Sequence, residues 1–331
     1  MSFANVGIIG AGSWGTALSL LLHGNNIPVT LWGHDADHVR GIVARRENFV
    51  YLPGIALPGS MQVTAELADL RDCDLLLLVT PSKAIREVSA RLSASGVRDG
   101  AVLLNCTKGV ERGSGLRMSE VIAEHFPRHP LAVLSGPSHA EEVARKMPTC
   151  VVLGCGDSVI AQKLQRTFTF PFFRAYTSDD IAGVEVGGAL KNIFALAAGV
   201  SDGLGLGDNA KAAMVTRALV ELGRLGGALG GKRETFMGLS GIGDLMVTCF
   251  SKHSRNRAVG ERLGRGERLA DIIASMQMVA EGVPTTYSAF ECARKSGVET
   301  PIIDQVKAIL DGAVSPANAM GRLLGRDPKP E

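Results

Sequence analysis

The amino-acid sequence predicts an α/β fold: a Rossmann-like, doubly wound and mainly parallel sheet followed by an all-helical C-terminal domain. Three observations carry the prediction. Short apolar runs alternate with helical stretches through the N-terminal part of the chain, a G-x-G-x-x-G segment follows the first of those runs at once, and from Val184 onward only helical patterns remain. The expected division is residues 1–183, 184–326 and a tail, 327–331.

Taken in order, Asn5 to Gly10 reads as a strand, and Gly10-Ala11-Gly12-Ser13-Trp14-Gly15 as the turn into a helix over Thr16 to Leu22. In that strand, turn, helix context Gly10 permits the tight turn, Gly12 lets a pyrophosphate approach the backbone, and Gly15 packs helix on strand. The helix N-terminus then faces the phosphates of a dinucleotide. Val29 to Trp32 is the second strand, and Gly33-His34-Asp35 stands where a ribose-reading acid is expected. Asp35 suits a 2′-hydroxyl, whereas His34 with Arg40, Arg45 and Arg46 suits a 2′-phosphate. All are equally compatible with solvated surface positions, so NADH versus NADPH stays open.

Further strands are expected at Met61 to Thr64, Asp74 to Val79, Ala101 to Cys106, Leu131 to Ser135, Thr149 to Gly154 and Phe172 to Tyr176, with helices at Ser82 to Leu92 and Leu116 to His125. In such sheets ligands lie beyond the carboxyl ends of the strands. The segments there are Thr80-Pro81-Ser82, Thr107-Lys108-Gly109 and Gly136-Pro137-Ser138-His139-Ala140. Lys108 is a ligand candidate by position. Ser138 with Glu141 fits a helix capping box as well as a ligand contact.

The helical part reads as 184–200, Asn209 to Gly226 with Asp208 as N-cap, 239–249, 256–264, 267–276, 284–296 and 301–312. Lys191 is the one cation within the apolar stretch Val184 to Ala198, and only Gly187, Gly188, Ala195 and Ala198 share its helical face. Desolvation there disfavours the ammonium and suits a lysine acid or base; a snorkelling lysine is the alternative. Asp244, alone among glycines and apolar residues in 238–245, is the candidate partner for Lys191, an N-cap being the other reading. Ser254-Arg255-Asn256 groups hydroxyl, guanidinium and amide before a helix, a set suited to a phosphate.

Composition narrows the classes. With 331 residues, 46% hydrophobic and 21% charged, the chain has room for two cores and is neither disordered nor fibrous. A formal charge of +2 gives no reason to expect nucleic acid or an anionic membrane as principal partner. Cysteines 73, 106, 150, 155, 249 and 292 have neither C-x-x-C nor zinc spacing and read as reduced core residues. No signal-type N-terminus and no apolar run near the roughly 20 residues of a membrane span are expected, which implies a cytoplasmic protein without stable membrane insertion.

Gly10 to Gly15, Asn48 to Pro58, Thr107-Lys108-Gly109, Gly136-Pro137-Ser138, Lys191-Asn192, Gly241 to Asp244, Ser254-Arg255-Asn256 and Val279-Ala280-Glu281-Gly282 occur in an order that resembles bacterial NAD(P)-dependent glycerol-3-phosphate dehydrogenase over nearly the whole chain. The resemblance implies reversible hydride transfer between NAD(P)H and dihydroxyacetone phosphate, giving sn-glycerol 3-phosphate for glycerophospholipid synthesis. It makes Lys191 the general acid and base, with Lys108 adding positive charge at the developing alkoxide and Asp244 holding the ammonium. Gly136, Ser138, Ser254, Arg255 and Asn256 would bind substrate. Ser13, Trp14, His34, Lys108, Ala140, Arg255, Val279 and Glu281 match the family's cofactor positions, beside Gly10, Gly12 and Gly15. No metal is required, since ammonium groups can polarise a ketone. A homodimer fits the small-residue faces at Gly223, Gly226 and Gly227.

Overall fold

The computed structural model describes residues 3–327, so residues 328–331 of the expected tail lie outside the described residues. The chain divides into two compact units, one formed by the chain up to Lys108 with Leu116–Glu185, the other by Gly109–Gly115 with the chain from Val186 onward. The expected division put Gly109–Gly115 in the first domain. It sides with the helical unit because Val110 is buried in that unit's apolar core and the Lys295 ammonium donates to the Gly113 carbonyl at 3.2 Å.

The first unit is built on one sheet of eight strands: β1 Val6–Ile9, β2 Val29–Trp32, β3 Gln62–Thr64, β4 Leu75–Leu78, β5 Val102–Asn105, β6 Leu131–Ser135, β7 Thr149–Cys155 and β8 Phe173–Ser178. Their order is β3-β2-β1-β4-β5-β6-β7-β8, and every neighbouring pair is parallel except β6 with β7. Successive side chains of a strand face opposite sides. Val6, Ile8, Leu75, Leu77, Val102 and Leu104 accordingly enter one core with the helices Ser13–His23 and Ser158–Phe168. Ile9, Leu76, Leu78 and Leu103 enter the other with Ile85–Ala94 and Met118–His125. Both faces are thus covered, which is why the central strands β1, β4 and β5 are buried without alternation. The winding direction reverses between β1 and β4, and the glycine turn leaves β1 at that point.

Two helices in this unit escape a reading by apolar period. Ala36–Arg45 buries only Val39 and Ile42, and both it and Ser158–Phe168 are started instead by an aspartate N-cap. Asp35 Oδ1 accepts from the Asp37 and His38 amides, and Asp157 Oδ1 from those of Val159 and Ile160.

Among the described residues, the regular elements of the second unit are all helices. Its central element, Ile181–Gly203, is 23 residues long with a mean hydropathy of 1.4 in its most apolar window, so by length and composition it does match a membrane span, contrary to the expectation. In this protein 83% of that window is buried, as befits a core helix. Gly207–Ala228 begins at Leu206, with Asp208 in its first turn rather than at the cap. Gly226 is packed within the chain, since a Cβ there would stand 2.3 Å from the Phe236 ring, while Gly223 and Gly227 have open space.

Helix Arg255–Gly264 crosses Ile181–Gly203 in direct backbone contact. A Cβ on Gly199 would lie 2.0 Å from the Arg257 carbonyl, one on Gly203 2.2 Å from that of Glu261, and one on Gly260 2.0 Å from that of Leu196. Any side chain at these positions would force the helices apart.

Candidate active site

In the first unit the predicted residues gather at the carboxyl ends of the strands. Gly10 has φ +128, and a Cβ there would lie 2.5 Å from the Val79 carbonyl; at Gly15 it would lie 1.9 Å from the Gly10 carbonyl. Those two glycines are demanded by the protein's own packing. Gly12 differs, because nothing lies within 4 Å of its would-be Cβ. It is the N-cap of Ser13–His23 and has no side chain to satisfy the amides of that first turn. An open cradle at a helix N-terminus suits an anionic pyrophosphate. Asn48, fully buried, holds the turn: its Nδ2 donates to the Ala11 carbonyl at 3.0 Å and to Thr16 Oγ1 at 2.8 Å.

His34 is exposed just after β2, and Asp35 caps a helix. The downstream arginines are engaged within the chain: Arg40 pairs with Asp37, Arg45 lies 4.2 Å from the Phe49 ring centroid, and Arg46 donates to the Pro58 and Met61 carbonyls. The arginine arm of the 2′-phosphate reading therefore loses Arg46, whose guanidinium is spent inside the fold.

At the ends of β5 and β6, Lys108 Nζ donates to the Gly136 carbonyl at 3.4 Å, and Ser138 Oγ to the same oxygen at 2.9 Å. Ser138 therefore does not cap the next helix, Ala140–Ala144, whose N-cap is His139. Gly136, at φ +136, stands with its would-be Cβ 3.0 Å from Val151 Cα. Lys108 follows a strand end fixed by Asn105, which accepts from the Thr107 amide at 2.9 Å and donates to Glu185 Oε1 at 2.9 Å. Burial pushes the Glu185 carboxyl upward, against the opposing pull of hydrogen bonds from Ser119 and the charge of Arg117.

In the second unit Lys191 and Asp244 are both buried and paired. The ammonium also donates to Thr248 Oγ1 at 2.7 Å, and that hydroxyl donates in turn to the Asp244 carbonyl at 2.6 Å. The committed hydroxyl proton leaves Thr248 an acceptor toward lysine. Asp244 follows a π-helical turn, Leu239–Gly243, whose Gly241 stands against the Phe236 carbonyl and whose Ser240 carbonyl meets Gly187 of the core helix. The nearby Cys249 thiol is pushed up to about 12, chiefly by burial, and is no nucleophile.

Asn256 Nδ2 donates to Asn192 Oδ1 at 2.9 Å, and its Oδ1 accepts from the Gly282 amide at 2.9 Å. Arg255 Nη1 donates to the Val279 carbonyl at 3.2 Å, and Glu281 holds the N-cap position of Gly282–Lys295. Arg255, Asn256, Val279 and Glu281 thus form one cluster. Ser254 is the N-cap of Arg255–Gly264, its Oγ accepting from the Arg257 amide at 3.2 Å. Thr248 and Asn192 are the members that residue-by-residue reading missed. Thr248 follows Asp244 by four positions on one helix, a spacing that places both on one face.

Comparison with known proteins identifies the family. The family model described as NAD-dependent glycerol-3-phosphate dehydrogenase N-terminus matches residues 5–161, and the C-terminus model matches residues 180–321. The chain is 48% identical to glycerol-3-phosphate dehydrogenase [NAD(P)+] of Geobacter sulfurreducens, covering 98% of each chain. It is 46% identical to that of Caulobacter vibrioides, covering 100% of each. The crystal structure of glycerol-3-phosphate dehydrogenase (gpsA) from Coxiella burnetii superimposes with a TM-score of 0.94 at 40% identity, covering 98% of this chain and 99% of that one. With both family models matched in order and relatives 46–48% identical over nearly the whole chain, this chain belongs to the NAD-dependent glycerol-3-phosphate dehydrogenase family.

Proposed function

We propose that Lys191 is the general acid and base of a reversible hydride transfer between NADH or NADPH and dihydroxyacetone phosphate that gives sn-glycerol 3-phosphate for glycerophospholipid synthesis. The observation that carries the assignment is the buried Lys191 ammonium held by Asp244 and Thr248. A bound nicotinamide supplies or accepts the hydride. In reduction Lys191 Nζ gives a proton to the ketone oxygen as carbon 2 becomes tetrahedral; in oxidation it takes that proton from the hydroxyl. Asp244 compensates the ammonium at a buried position. Lys108 places a second cation at the oxygen where negative charge develops.

The cofactor is held by the first unit: the Gly10 to Gly15 turn and the N-terminus at Ser13 and Trp14 take the pyrophosphate, and His34 the adenosine ribose end. Lys108 and Ala140 belong to the cofactor residues that the family resemblance implies, and so do Arg255, Val279 and Glu281. The substrate phosphate is bound by Ser254, Arg255 and Asn256, with Gly136 and Ser138. The Asn192 contact uses one of Asn256's two amide hydrogens and the Gly282 amide takes its oxygen, so a phosphate oxygen takes the other hydrogen. The six free cysteines suit a reducing, cytoplasmic setting. A homodimer belongs to the same reading, with the open faces of Gly223 and Gly227 available for close approach.

Loss of reduced-nicotinamide absorbance with dihydroxyacetone phosphate tests the assignment. Lys191→Ala is expected to bind cofactor yet turn over at least about 100-fold more slowly, and Arg255→Ala to raise KM for the phosphorylated ketone by tenfold or more. A Lys191→Ala enzyme within a few-fold of wild type would end the assignment.

A further inference from the structure

Outside the residues just assigned, the helical unit contains a charge cluster that the reaction does not use. Asp202, at the end of Ile181–Gly203, accepts from Lys211 Nζ at 2.8 Å and from the Arg257 guanidinium through the same oxygen, Oδ2. The side chains of Lys211, Arg257 and Asp202 are only 9%, 15% and 23% exposed. Arg257 also meets Glu261 Oε2 at 3.3 Å. Partly buried charge at this density is retained at a desolvation cost, and removing one member strands the others.

What Arg257 does next gives the cluster a purpose. Its Nε donates to the Ser251 carbonyl at 3.1 Å, and its backbone amide to Ser254 Oγ at 3.2 Å. Ser251 to Ser254 is the turn that leads into Arg255 and Asn256, and it has no regular secondary structure of its own. One guanidinium therefore joins the start of that turn to Asp202 on the core helix, while the same residue's amide holds the turn's end. The glycine contacts hold Arg255–Gly264 against the core helix from Arg257 onward, at Gly199, Gly203 and Gly260. The turn precedes that contact, and the Arg257 guanidinium is what joins its first residue to Asp202.

We propose that Asp202, acting through Arg257, is a positioning residue that preorganises the Ser251 to Asn256 segment for the substrate's phosphate. Asp202 touches neither substrate nor cofactor in this scheme. The proposal rests on the assignment of Ser254, Arg255 and Asn256 to phosphate binding. Preorganisation lowers the ordering cost paid on association, so its loss weakens phosphate binding and leaves proton transfer at Lys191 alone.

The test is steady-state kinetics of Asp202→Asn, Asp202→Glu and Arg257→Lys at saturating NADPH. Dihydroxyacetone phosphate is varied, inorganic phosphate is the competing probe, and thermal midpoints are measured alongside. Asp202→Asn and Arg257→Lys are expected to raise KM for the ketone and the inhibition constant for phosphate together by about tenfold, with kcat within twofold of wild type. Asp202→Glu, which keeps the charge, is expected to recover most of both. Unchanged KM and phosphate inhibition in variants with lowered midpoints would reduce the cluster to a stability role and overturn the proposal, as would a fall in kcat alone. Arg255→Ala in the same series separates the two ideas: unchanged phosphate binding there overturns the phosphate assignment itself. If Asp202→Asn does not fold, Arg257→Lys, which retains a cation beside Asp202, decides the matter by the same two constants.

Discussion

Replacing Asp244 by asparagine conserves the side chain's volume and removes only its charge, at a position where the side chain is 1% exposed and that of Lys191 8%. Lys191 keeps Thr248 Oγ1 at 2.7 Å but loses the charge of the buried carboxylate it pairs with. Stranding a buried charge in this way costs about 3–5 kcal/mol. The lysine avoids most of that cost by shedding its proton, and a neutral amine has none to give a ketone. General acid catalysis is typically worth ~10²–10⁴-fold, so kcat for ketone reduction is expected to fall by at least about 100-fold, or ~2.7 kcal/mol of barrier. The deficit should shrink as pH is lowered and the amine regains its proton. The assay is nicotinamide absorbance with dihydroxyacetone phosphate from about pH 6 to pH 9, with the thermal midpoint measured on the same preparations. Gly243 holds the N-cap position of Asp244–Phe250, so the exchange leaves that cap as it was. A variant within threefold of wild type across the pH range would refute the reasoning and make the pair purely structural.

Two further predictions concern other parts of the molecule. Gly12→Ala places a methyl in open space and should leave the thermal midpoint within about two degrees of wild type while raising KM for NADPH about tenfold; Gly15→Ala, aimed 1.9 Å from the Gly10 carbonyl, should instead lower the midpoint sharply. Equal midpoints for the two variants would count against the cradle. Glu221, buried in the helical unit, accepts from the Ile302 and Ile303 amides at 2.9 Å each, and burial pushes its carboxyl from 4.5 up to about 7. A folded-state value above the unfolded one means that its contribution is fully present below about pH 4.5 and is lost as pH rises through 7. The loss amounts to about 3 kcal/mol. Urea unfolding of wild type and Glu221→Gln should therefore converge or cross as pH rises through that window, and parallel stability curves would show that Glu221 does not titrate there.

Local chemistry was legible in the sequence, and long-range placement was not. The glycine turn at Gly10 to Gly15 announces itself because each glycine answers a steric need within a few residues of chain. Lys191 and Asp244 stand out as lone charges among apolar and glycine residues, which is the signature of a buried pair. The charged stretch after β2 misled for the same local reason: Asp35, Arg40, Arg45 and Arg46 look like ligand groups, yet Asp35 caps a helix and Arg46 is consumed by the carbonyls of Pro58 and Met61. Nothing near Arg46 in the chain indicates those acceptors. Gly109–Gly115 follows β5 in sequence but packs with the helical unit, a choice made by contacts such as Lys295 to Gly113. The membrane-like composition of Ile181–Gly203 also has a tertiary cause, because a helix surrounded on all sides by protein needs apolar residues on every face.

The crossing of Ile181–Gly203 with Arg255–Gly264 bears on which substrates this family member can be made to accept. Lys191 lies two turns before Gly199 on one helix, and Asn256 one turn before Gly260 on the other. With carbonyl oxygens where side chains would otherwise meet, the proposed roles of Lys191 and Asn256 make main chain set the span from the reacting oxygen to the phosphate. Engineering toward a longer phosphorylated ketone would then have to shift a helix, since at this crossing no side chain can be shortened to make room.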